Sequence, residues 1–573
     1  MQTFIRHVIV AIAITTVSGC GSDSNSQKEL ALGGIELGGV FRLNEVHDVR
    51  SLYPLEITES TGYRIASQVY QGLVKFDQRT LEIEPALAER WESNTDATEW
   101  TFFLRKGVKF HDDPCFPEGK GREMTANDVK WCTEQLCAPT AANQMFWLID
   151  GRLKGAQEFY NAGATGSISG MEVLDDYTIK FKLEYPMSGL LQILAHNAFF
   201  VYPQEAFNHY GKGMSTHAVG TGPFKLELFK PGEVCVLRKN QNYYGHDMHG
   251  NQLPYLDAIQ ISFVKDKKSE LLMFKNKELD MIFTFPIEMY ADVLTSLNDA
   301  TMGRNQDFEP QVTPSMSIHY CALQHQSNVF KDGRVRRAFN MAVDKESIVN
   351  HTLQGEGSPG IYGVIPPAFT KYDQSKVNRT EYNPEMARTL FAQAGYPDGK
   401  GFPEITMQLS SGGTNYELVA QVLVSMLHEN LGVNIKLQVL PIAQLLDNAE
   451  TGKATMWYDG WLADYPDPEN FLRLFVSNES DTVQRAYLNS VRYSNPLYDS
   501  LYYDAIRETD ETQRYEIYRS MDQMLIHDAV IIPIYYEEFT RLIPARVKNF
   551  PQNSIEHRDF SEVWISTLDE PEA

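Results

Sequence analysis

The sequence predicts an α/β protein of several domains, on the basis of three observations. The chain has 573 residues, enough for roughly three or four units of about 150 residues each. In its first half, short alternating segments joined by Gly, Pro and Asn turns predict strands. Beyond residue 312, strands alternate with amphipathic helices, which is typical of a layered fold with a largely parallel sheet.

The first element along the chain is a predicted export signal at residues 1–19. A basic start precedes a mostly apolar run at 8–17, which is too short to span a membrane, and small residues stand just before Cys20. The residues before Cys20 resemble the lipobox of bacterial lipoproteins, which implies cleavage before Cys20 and a covalent lipid on that residue. We expect a flexible tether over 20–37. A plain secretory signal with an incidental cysteine is the alternative. No later run approaches the roughly 20 apolar residues that a transmembrane helix needs.

The spacing of apolar residues predicts the remaining elements. Predicted helices cover 64–73, 125–137, 334–342, 384–394, 416–431 and 510–527. Predicted strands cover 38–43, 100–108, 177–183, 224–228, 234–238, 258–264, 405–409, 433–439, 454–457 and 530–536. Thr125 and Asp128 have the spacing of a capping box at the start of the second helix.

Charge and cysteine content limit the possible partners and sites. Acidic residues outnumber Lys and Arg by 75 to 51, which argues against nucleic acid, since phosphate binding needs a basic surface. Histidines and cysteines lack zinc-site spacing, and no phosphate loop or hydrolase motif occurs. We therefore expect no enzyme, no metal and no cofactor besides the lipid. An oxidising compartment would permit disulfides, and the local candidate is Cys115 with Cys132 or Cys137, although the pairing among these, Cys235 and Cys321 stays open.

One short segment, 461–468, combines an indole, a phenol, carboxylates and two prolines. The prolines restrict the backbone, so the segment can hold Trp461 and Asp464 ready for a cationic group beside an apolar one. An ordinary turn, with Asp464 and Asp467 bonding local backbone N–H groups, is the alternative. Asp467 and Asn470 are expected to serve the turn and the cap of the next helix.

Several motifs, in order along the chain, resemble the extracellular solute-binding proteins of peptide/nickel-type ABC importers. They are 51–54 (SLYP), 85–91 (PALAERW), 100–112 (WTFFLRKGVKFHD), 124–129 (MTANDV), 220–224 (GTGPF), 334–344 (RVRRAFNMAVD), 461–472 (WLADYPDPENFL) and 532–535 (IPIY). Tyr53 stands where the family usually has Asp, and an extra loop fills 113–122. Each motif alone is weak, but together they cover nearly all of the chain after the signal. The turn at 220–224 is expected near the hinge, with glycines in special φ regions.

The resemblance implies a periplasmic-binding-protein-like fold, with two lobes joined by a hinge and an inserted third domain. By that analogy, one lobe combines 38–66, 200–311 and 521–573. The inserted domain covers 67–199, and the other lobe covers 312–520.

The resemblance also implies a function. The expected protein is a monomeric lipoprotein of the periplasm or cell envelope that captures short peptides in the interlobe cleft and delivers them to ABC permease subunits. Its peptide would lie extended and pair with protein strands. A nickel chelate, an opine or an oligosaccharide is the alternative ligand within the family. An envelope hydrolase or chaperone on the same fold is the alternative of another class. Peptide length, side-chain preference and the membrane that carries the anchor stay open.

The same analogy assigns site residues. Asp464 would meet the peptide's α-ammonium, Trp461 would stack beside the ligand, and the backbones of Gly460 and Leu462 would bond to it. Well-known members carry a basic residue near Tyr458, so one ligand contact is expected to differ here. Further candidates are Asp459, Thr58, Glu59, Tyr320 and Asn415. Asn415 opens a helix whose N-terminus can hold a carboxylate, but no Lys or Arg stands nearby, so recognition of the ligand's carboxylate is unassigned.

Overall fold

A computed structural model describes residues 29–141, 143–187, 189–284, 308–411, 415–477 and 485–567. The predicted signal, Cys20 and the first part of the tether lie outside these ranges, so the expectations for them stay predictions. The expectation of a flexible tether up to residue 37 is wrong, because Leu30–Ala31 and Ile35–Glu36 pair as antiparallel strands. In the described part, no helix combines the length and the hydropathy that a bilayer crossing requires.

Strands occur along the whole of the described chain. The strands are β1 (Leu30–Ala31), β2 (Ile35–Glu36), β3 (Val40–Asn44), β4 (Val74–Phe76), β5 (Ile83–Pro85), β6 (Ala88–Ser93), β7 (Glu99–Leu104), β8 (Met171–Asp175), β9 (Thr178–Lys182), β10 (Phe224–Lys230), β11 (Val234–Lys239), β12 (Ala258–Ser262), β13 (Ile282–Phe283), β14 (Phe308–Leu323), β15 (Ser358–Pro359), β16 (Ile405–Ser410), β17 (Ile435–Leu440), β18 (Met456–Leu462), β19 (Ile531–Pro544), β20 (Val547–Lys548) and β21 (Trp564–Ile565).

Helices separate many of these strands. They are α1 (Ser60–Val69), α2 (Ala126–Leu136), α3 (Ala156–Asn161), α4 (Leu190–Leu194), α5 (Gln204–Tyr210), α6 (Lys267–Lys275), α7 (Gly333–Met341), α8 (Lys345–Ser347), α9 (Pro384–Gln393), α10 (Tyr416–Leu431), α11 (Ile442–Glu450), α12 (Glu469–Leu472), α13 (Pro496–Ala505) and α14 (Glu511–Asp528). The capping box of Thr125 and Asp128 at α2 is confirmed. Helix α1 begins earlier than predicted, because Glu59 rather than a later residue is its N-cap.

The largest sheet carries most of the candidate residues. Its order is β13-β19-β14-β18-β16-β17, with β15 added to β19. Strand β16 runs parallel to β17 and β18, but β14 is antiparallel to both β18 and β19. The α/β class is therefore confirmed, whereas the expectation of a largely parallel sheet is wrong: antiparallel pairing of two long strands dominates its centre.

Those two long strands, β14 and β19, pair along almost their full length. Their register shifts between Pro314 and Ile318 and again between His319 and Tyr320. On one side of the first shift β19 also pairs with β13, and on the other side β14 pairs with β18. The strands thus join two regions of the molecule, as the resemblance implies for a hinge. The lobe boundaries expected at 66/67, 311/312 and 520/521 fall inside α1, β14 and α14, and the division into lobes stays a prediction.

The other sheets are smaller. A four-stranded sheet has the order β10-β11-β12-β3, and another has the order β6-β7-β9-β8. The two faces of the largest sheet belong to different cores. Tyr320 and Trp457 pack into a core that continues into the N-terminal segments, whereas Cys321, Tyr458 and Tyr535 pack with helices α7 and α10. This division follows from the alternation of side chains along each strand.

The cysteines do not form the local disulfide considered above. All five in the described ranges are free, and four of them are buried. Cys132 instead places its thiol 3.2 Å from the carbonyl of Tyr202. Burial raises the pKa of Cys132, so this thiol packs as a small apolar group.

The turn at Gly220 is set by close packing and not by unusual backbone angles. Neither Gly220 nor Gly222 has a positive φ, so that expectation is wrong. A Cβ on Gly220 would lie 2.1 Å from the carbonyl oxygen of Val69. His111 stabilises the same turn, because its backbone N–H donates to the Gly220 carbonyl at 2.8 Å. Position 220 therefore requires a residue without a side chain.

Replacement of Gly220 by Ala should therefore destabilise the fold. The clash is with backbone at the end of α1, which cannot rotate away, so we expect a loss of about 1–3 kcal/mol or more in the free energy of unfolding. Urea unfolding followed by circular dichroism measures it. Gly189→Ala is the matched control, because a Cβ there meets no atom within 4 Å. Equal midpoints for the two variants would show that the turn can relax.

Candidate functional site

Strand β18 places five of the predicted site residues in one row, and one of its edges is largely uncovered. Strand β14 pairs with β18 from Met456 to Leu462. On the opposite edge, β16 pairs only with Met456 and Trp457. Beyond Trp457, no strand in the described ranges occupies that edge. An extended chain has room to add there as a further strand.

The backbone groups that face this uncovered edge can be identified. Successive residues of a strand direct their N–H and C=O groups to alternate edges. The N–H of Ala463 donates to Met316 of β14 at 2.9 Å, so Ala463 faces β14. Gly460 and Leu462 consequently face the uncovered edge. The Gly460 N–H already donates to Asp459 Oδ1 at 2.9 Å, so the carbonyl is the backbone group that Gly460 can offer to a ligand.

Asn470 holds Trp461 and Asp464 in fixed positions. Its Oδ1 accepts from Trp461 Nε1 at 2.8 Å and from the Asp464 backbone N–H at 3.1 Å, and its Nδ2 donates to Asp464 Oδ2 at 3.1 Å. Asn470 lies inside α12 and is buried, so the expectation that it caps the helix is wrong. Asp467 does have the expected turn role, because it accepts from the Glu469 N–H at 2.8 Å.

This arrangement leaves the second oxygen of Asp464 available. Asp464 Oδ1 lies 3.6 Å from His196 Nε2, and the side chain is 24% exposed. Burial and then the Asp464 carboxylate raise the pKa of Tyr63 and of Tyr487, so both phenols stay protonated near it. The carboxylate is thus fixed on one side and faces an imidazole and two phenols on the other.

Trp461 lies beside this carboxylate but points its ring toward an aromatic neighbour. Its ring centre is 6.1 Å from that of Tyr487, and its indole N–H is already used by Asn470. The exposed part of the ring can therefore offer only apolar contact, which suits the stacking role predicted for it.

Thr58 and Glu59 lie at the start of α1 and approach the same phenol. Glu59 accepts from the Arg50 backbone N–H at 2.8 Å and from the Thr58 hydroxyl at 3.1 Å. After burial, Asp464 and Glu450, the Glu59 carboxylate also raises the pKa of Tyr487. Glu59 and Asp464 thus both act on the same phenol, although the Arg50 N–H and the Thr58 hydroxyl already donate to Glu59.

Tyr320 and Asp459 are directly opposite each other in the β14–β18 ladder. Asp459 accepts from the indole N–H of Trp457 and from the Gly460 backbone N–H, each at 2.9 Å. Burial raises the pKa of Asp459 and of Tyr320. The pair lies on the sheet face opposite to Tyr458, so the candidates divide between two faces of one strand.

Tyr458 and Asn415 lie on that other face, where helix α10 begins. The ring of Tyr458 is 5.0 Å from that of Tyr416. The Asn415 amide does not cap α10 but donates to Glu356 Oε2 at 3.1 Å. A carboxyl group of the protein therefore stands at the helix start where a ligand carboxylate was expected.

Three residues near Asp464 were not predicted from the sequence: Tyr63, His196 and Tyr487. They come from three distant segments and lie outside the motif at 461–472. No metal site accompanies them, since no group of three or more His, Cys, Asp or Glu residues in the described part could hold an ion. The site is suited to hydrogen bonding and charge pairing.

Comparison with known proteins finds a family and related proteins. The sequence model for "Bacterial extracellular solute-binding proteins, family 5 Middle" matches residues 82–482. The periplasmic oligopeptide-binding protein OppA of Salmonella typhimurium is 27% identical over 561 residues, which cover 95% of this chain and 95% of that protein. The glutathione-binding protein GsiB of the same organism is 28% identical and covers 87% of this chain and 88% of its own length.

A solved structure shows the same fold. The periplasmic oligopeptide-binding protein OppAIV of Borrelia burgdorferi superposes with a TM-score of 0.81 at 24% identity, covering 93% of this chain and 100% of that one. The periplasmic-binding-protein-like α/β fold expected from the sequence is confirmed.

Proposed function

The chain belongs to family 5 of the bacterial extracellular solute-binding proteins, and from this premise we propose that it is the peptide-binding component of an ABC importer. Members of this family bind solutes and do not convert them, so the protein is not an enzyme. We further propose that it recognises short peptides by their free amino terminus, delivers them to a membrane permease and acts as a monomer.

The single observation that carries the peptide assignment is the position of Asp464 beside the uncovered edge of β18. One carboxylate oxygen is held by Asn470 and the other remains available. An α-ammonium at that oxygen would form a charge-assisted bond, which strengthens as water is excluded. The peptide backbone following it would then meet Gly460 and Leu462.

Enclosure of the ligand is proposed to come from movement about β14 and β19. These strands are the central connection between the region that carries β13 and the region that carries β18. Closure would bring Tyr63 and His196 against Asp464, which is the arrangement described above. The interlobe cleft and its three-part domain division are part of this proposal.

Lipid anchoring at Cys20 is also proposed, on the basis of the sequence before that residue. The relative OppA is a periplasmic protein by name, which fits export of this chain. Electrospray mass analysis of the protein from its native envelope would show the diacylglycerol and N-acyl additions on Cys20. A mass that retains residues 1–19, or lacks the lipid, would exclude the anchor.

Binding of matched peptides to the unaltered protein tests the proposal. We expect a tripeptide with a free amino terminus to bind much more tightly than its N-acetylated form in titration calorimetry. If the natural ligand is a nickel chelate, an opine or an oligosaccharide, both peptides should bind weakly. Appearance of cleavage products would indicate a hydrolase, and preference for unfolded proteins would indicate a chaperone.

Replacement of Asn470 by Leu should weaken this binding without removing the carboxylate. The substitution leaves the indole of Trp461 and the backbone of Asp464 without their partner and lets the carboxylate turn. We expect about a tenfold loss of affinity for the free peptide, corresponding to roughly 1–2 kcal/mol for a lost hydrogen bond. The acetylated peptide should be affected less. An equal loss for both peptides would show a general structural effect instead of positioning of Asp464.

A further inference from the structure

A second group of acidic side chains lies on the face of β18 opposite to Asp464. Glu537 of β19 and Glu356, just before β15, approach this place from two segments that pair with each other. Glu356 is 6% exposed. Ser317 donates to Glu537 at 3.0 Å, and Asn415 donates to Glu356 at 3.1 Å. In the described ranges, no Lys or Arg forms an ion pair with either carboxyl group.

Aromatic rings enclose these two carboxyl groups. His319 stacks on Tyr535 with ring centres 4.5 Å apart and an angle of 8° between the planes. Tyr416 lies 5.5 Å from His319 and 5.0 Å from Tyr458. Ring faces attract cations through their quadrupole, so the enclosure and the carboxyl groups favour the same kind of ligand.

One buried polar atom in this enclosure, His319 Nδ1, has no hydrogen-bond partner among the described residues, and His319 is 5% exposed. The neighbouring Tyr458 is 2% exposed. Burial and then Tyr416 raise the pKa of Tyr458, and its hydrogen bond with Tyr535 opposes this rise. Unpaired buried polar atoms in a native protein call for an explanation, and a ligand that donates hydrogen bonds supplies one.

His319 Nδ1 also faces the strand at which a peptide is proposed to bind. It lies 3.2 Å from the position that a Cβ on Gly460 would occupy. The enclosure therefore adjoins β18 where its edge is uncovered. A side chain of a peptide paired with that edge can reach it, because alternate side chains of an added strand point to opposite faces of the sheet.

We propose that this enclosure, formed by Glu356, Glu537, His319, Tyr416, Tyr458 and Tyr535, binds a lysyl or arginyl side chain of the peptide. This inference rests on the proposed peptide function and adds a side-chain preference to it. The cation would pair with the two carboxyl groups, donate to His319 Nδ1, and lie against the rings. The peptide's amino terminus is served separately by Asp464.

The acidity of Glu356 gives this subsite a dependence on pH. Burial, then Glu537 and Glu538 of β19, raise the pKa of Glu356 to about 8, and the bond from Asn415 opposes this. The other titratable or charged groups near the enclosure are His319 of β14, whose Nε2 lies 3.6 Å from Glu537 Oε2, together with Tyr416 of α10, Tyr458 of β18, Tyr535 of β19 and Arg64 of α1, whose pKa Glu537 helps to raise. Below pH 8, Glu356 is largely protonated in the absence of a cation. A bound cation favours the ionised form, so affinity for a Lys peptide rises as the pH rises toward 8 and a proton is released on binding.

Titration calorimetry with peptides that differ at one side chain tests the subsite. Tripeptides with Lys, norleucine or Glu at the second or third position, each with a free and an acetylated amino terminus, are titrated into the full chain. We expect Lys to be preferred over norleucine by tenfold or more at one position. Glu356→Gln and Glu537→Gln should each reduce that preference several-fold and leave discrimination against acetylation intact. Glu429→Gln, at the exposed far end of α10, is the matched control and should change neither.

The outcomes separate the subsite from the function on which it rests. Acetylation-sensitive binding with equal affinities for Lys and norleucine would overturn the subsite and leave the peptide function standing. A Lys preference that persists unchanged in both Gln variants would overturn the assignment to Glu356 and Glu537. If no peptide binds, both proposals fail. A preference for Lys that grows between pH 6 and pH 8 in the unaltered protein, and that is flat in Glu356→Gln, would support the subsite.

Discussion

Asp464→Asn should reduce the affinity for a peptide with a free amino terminus at least 30-fold. Removal of one member of a buried charge pair costs about 2–5 kcal/mol of binding free energy. The amide keeps the shape of the carboxylate, and Asn470 can still donate to its oxygen at the position of Oδ2. What disappears is the negative charge facing His196 and the phenols. Titration calorimetry at neutral pH measures the effect directly.

The control for this prediction uses both the ligand and the protein. An N-acetylated peptide has no ammonium, so Asp464→Asn should hardly change its weak affinity, and the difference between the two losses isolates the ammonium contact. Asp467→Asn alters a carboxyl group three residues away that accepts from the Glu469 N–H and lies 3.9 Å from Arg514, and it should leave affinity near that of the unaltered protein. Equal losses for free and acetylated peptides would contradict the ammonium role.

The second large effect is expected at the buried ion pair between Arg152 and Glu469. Arg152 Nη2 lies 2.9 Å from Glu469 Oε1, and the side chains are 3% and 7% exposed. Tyr465 and Tyr502 also donate to Glu469. Burial alone would lower the pKa of Arg152, but Glu469 raises it well above its usual value, so the guanidinium stays charged. The pair ties the segment before α3 to α12, which carries Asn470.

Arg152→Met should therefore destabilise the protein strongly. It leaves the Glu469 carboxylate buried with only phenols as partners, and loss of one member of a buried pair costs about 3–5 kcal/mol. Thermal unfolding followed by differential scanning calorimetry measures the change. Arg90→Met removes a pair in which both side chains are more than half exposed, so it should cost no more than about 1 kcal/mol. Similar unfolding temperatures for the two variants would show that water reaches Glu469 and replaces the guanidinium.

The same substitution should also weaken peptide binding, because α12 positions Asn470 and through it Asp464. This consequence can be separated from instability by titrating at a temperature well below the unfolding transition of Arg152→Met. Retention of full affinity there would limit the ion pair to a structural role.

The elements with strong local patterns could be predicted from the sequence. Helix α10 has the bounds that its apolar spacing predicts, and the capping box at α2 is formed as expected. Strand β14 was missed as an element, although it is central to the sheet. Pro310 and Pro314 interrupt its pattern, and its pairing with β19 joins residues more than 200 positions apart, which no local spacing reports.

The site was predictable in part. The motif at 461–472 singles out Asp464 as a candidate because its residues are contiguous. The strand before it was predicted only over 454–457, whereas β18 covers Met456–Leu462. The role of Asn470 could not be predicted, because a residue that caps a helix and a residue that hydrogen-bonds to two others look alike in sequence. Tyr63, His196 and Tyr487 meet Asp464 only through folding of distant segments. The absence of a basic residue near Tyr458 was visible, but its consequence depends on Glu356 and Glu537, which the tertiary structure brings beside it.

Native mass spectrometry of the protein isolated from its own envelope tests the central claim most directly, because a closed binding protein tends to retain its ligand. The peptide function predicts retained masses that fragment as short peptides with free amino termini, several of them carrying Lys or Arg. A retained sugar, metal chelate or other non-peptide ligand would contradict it.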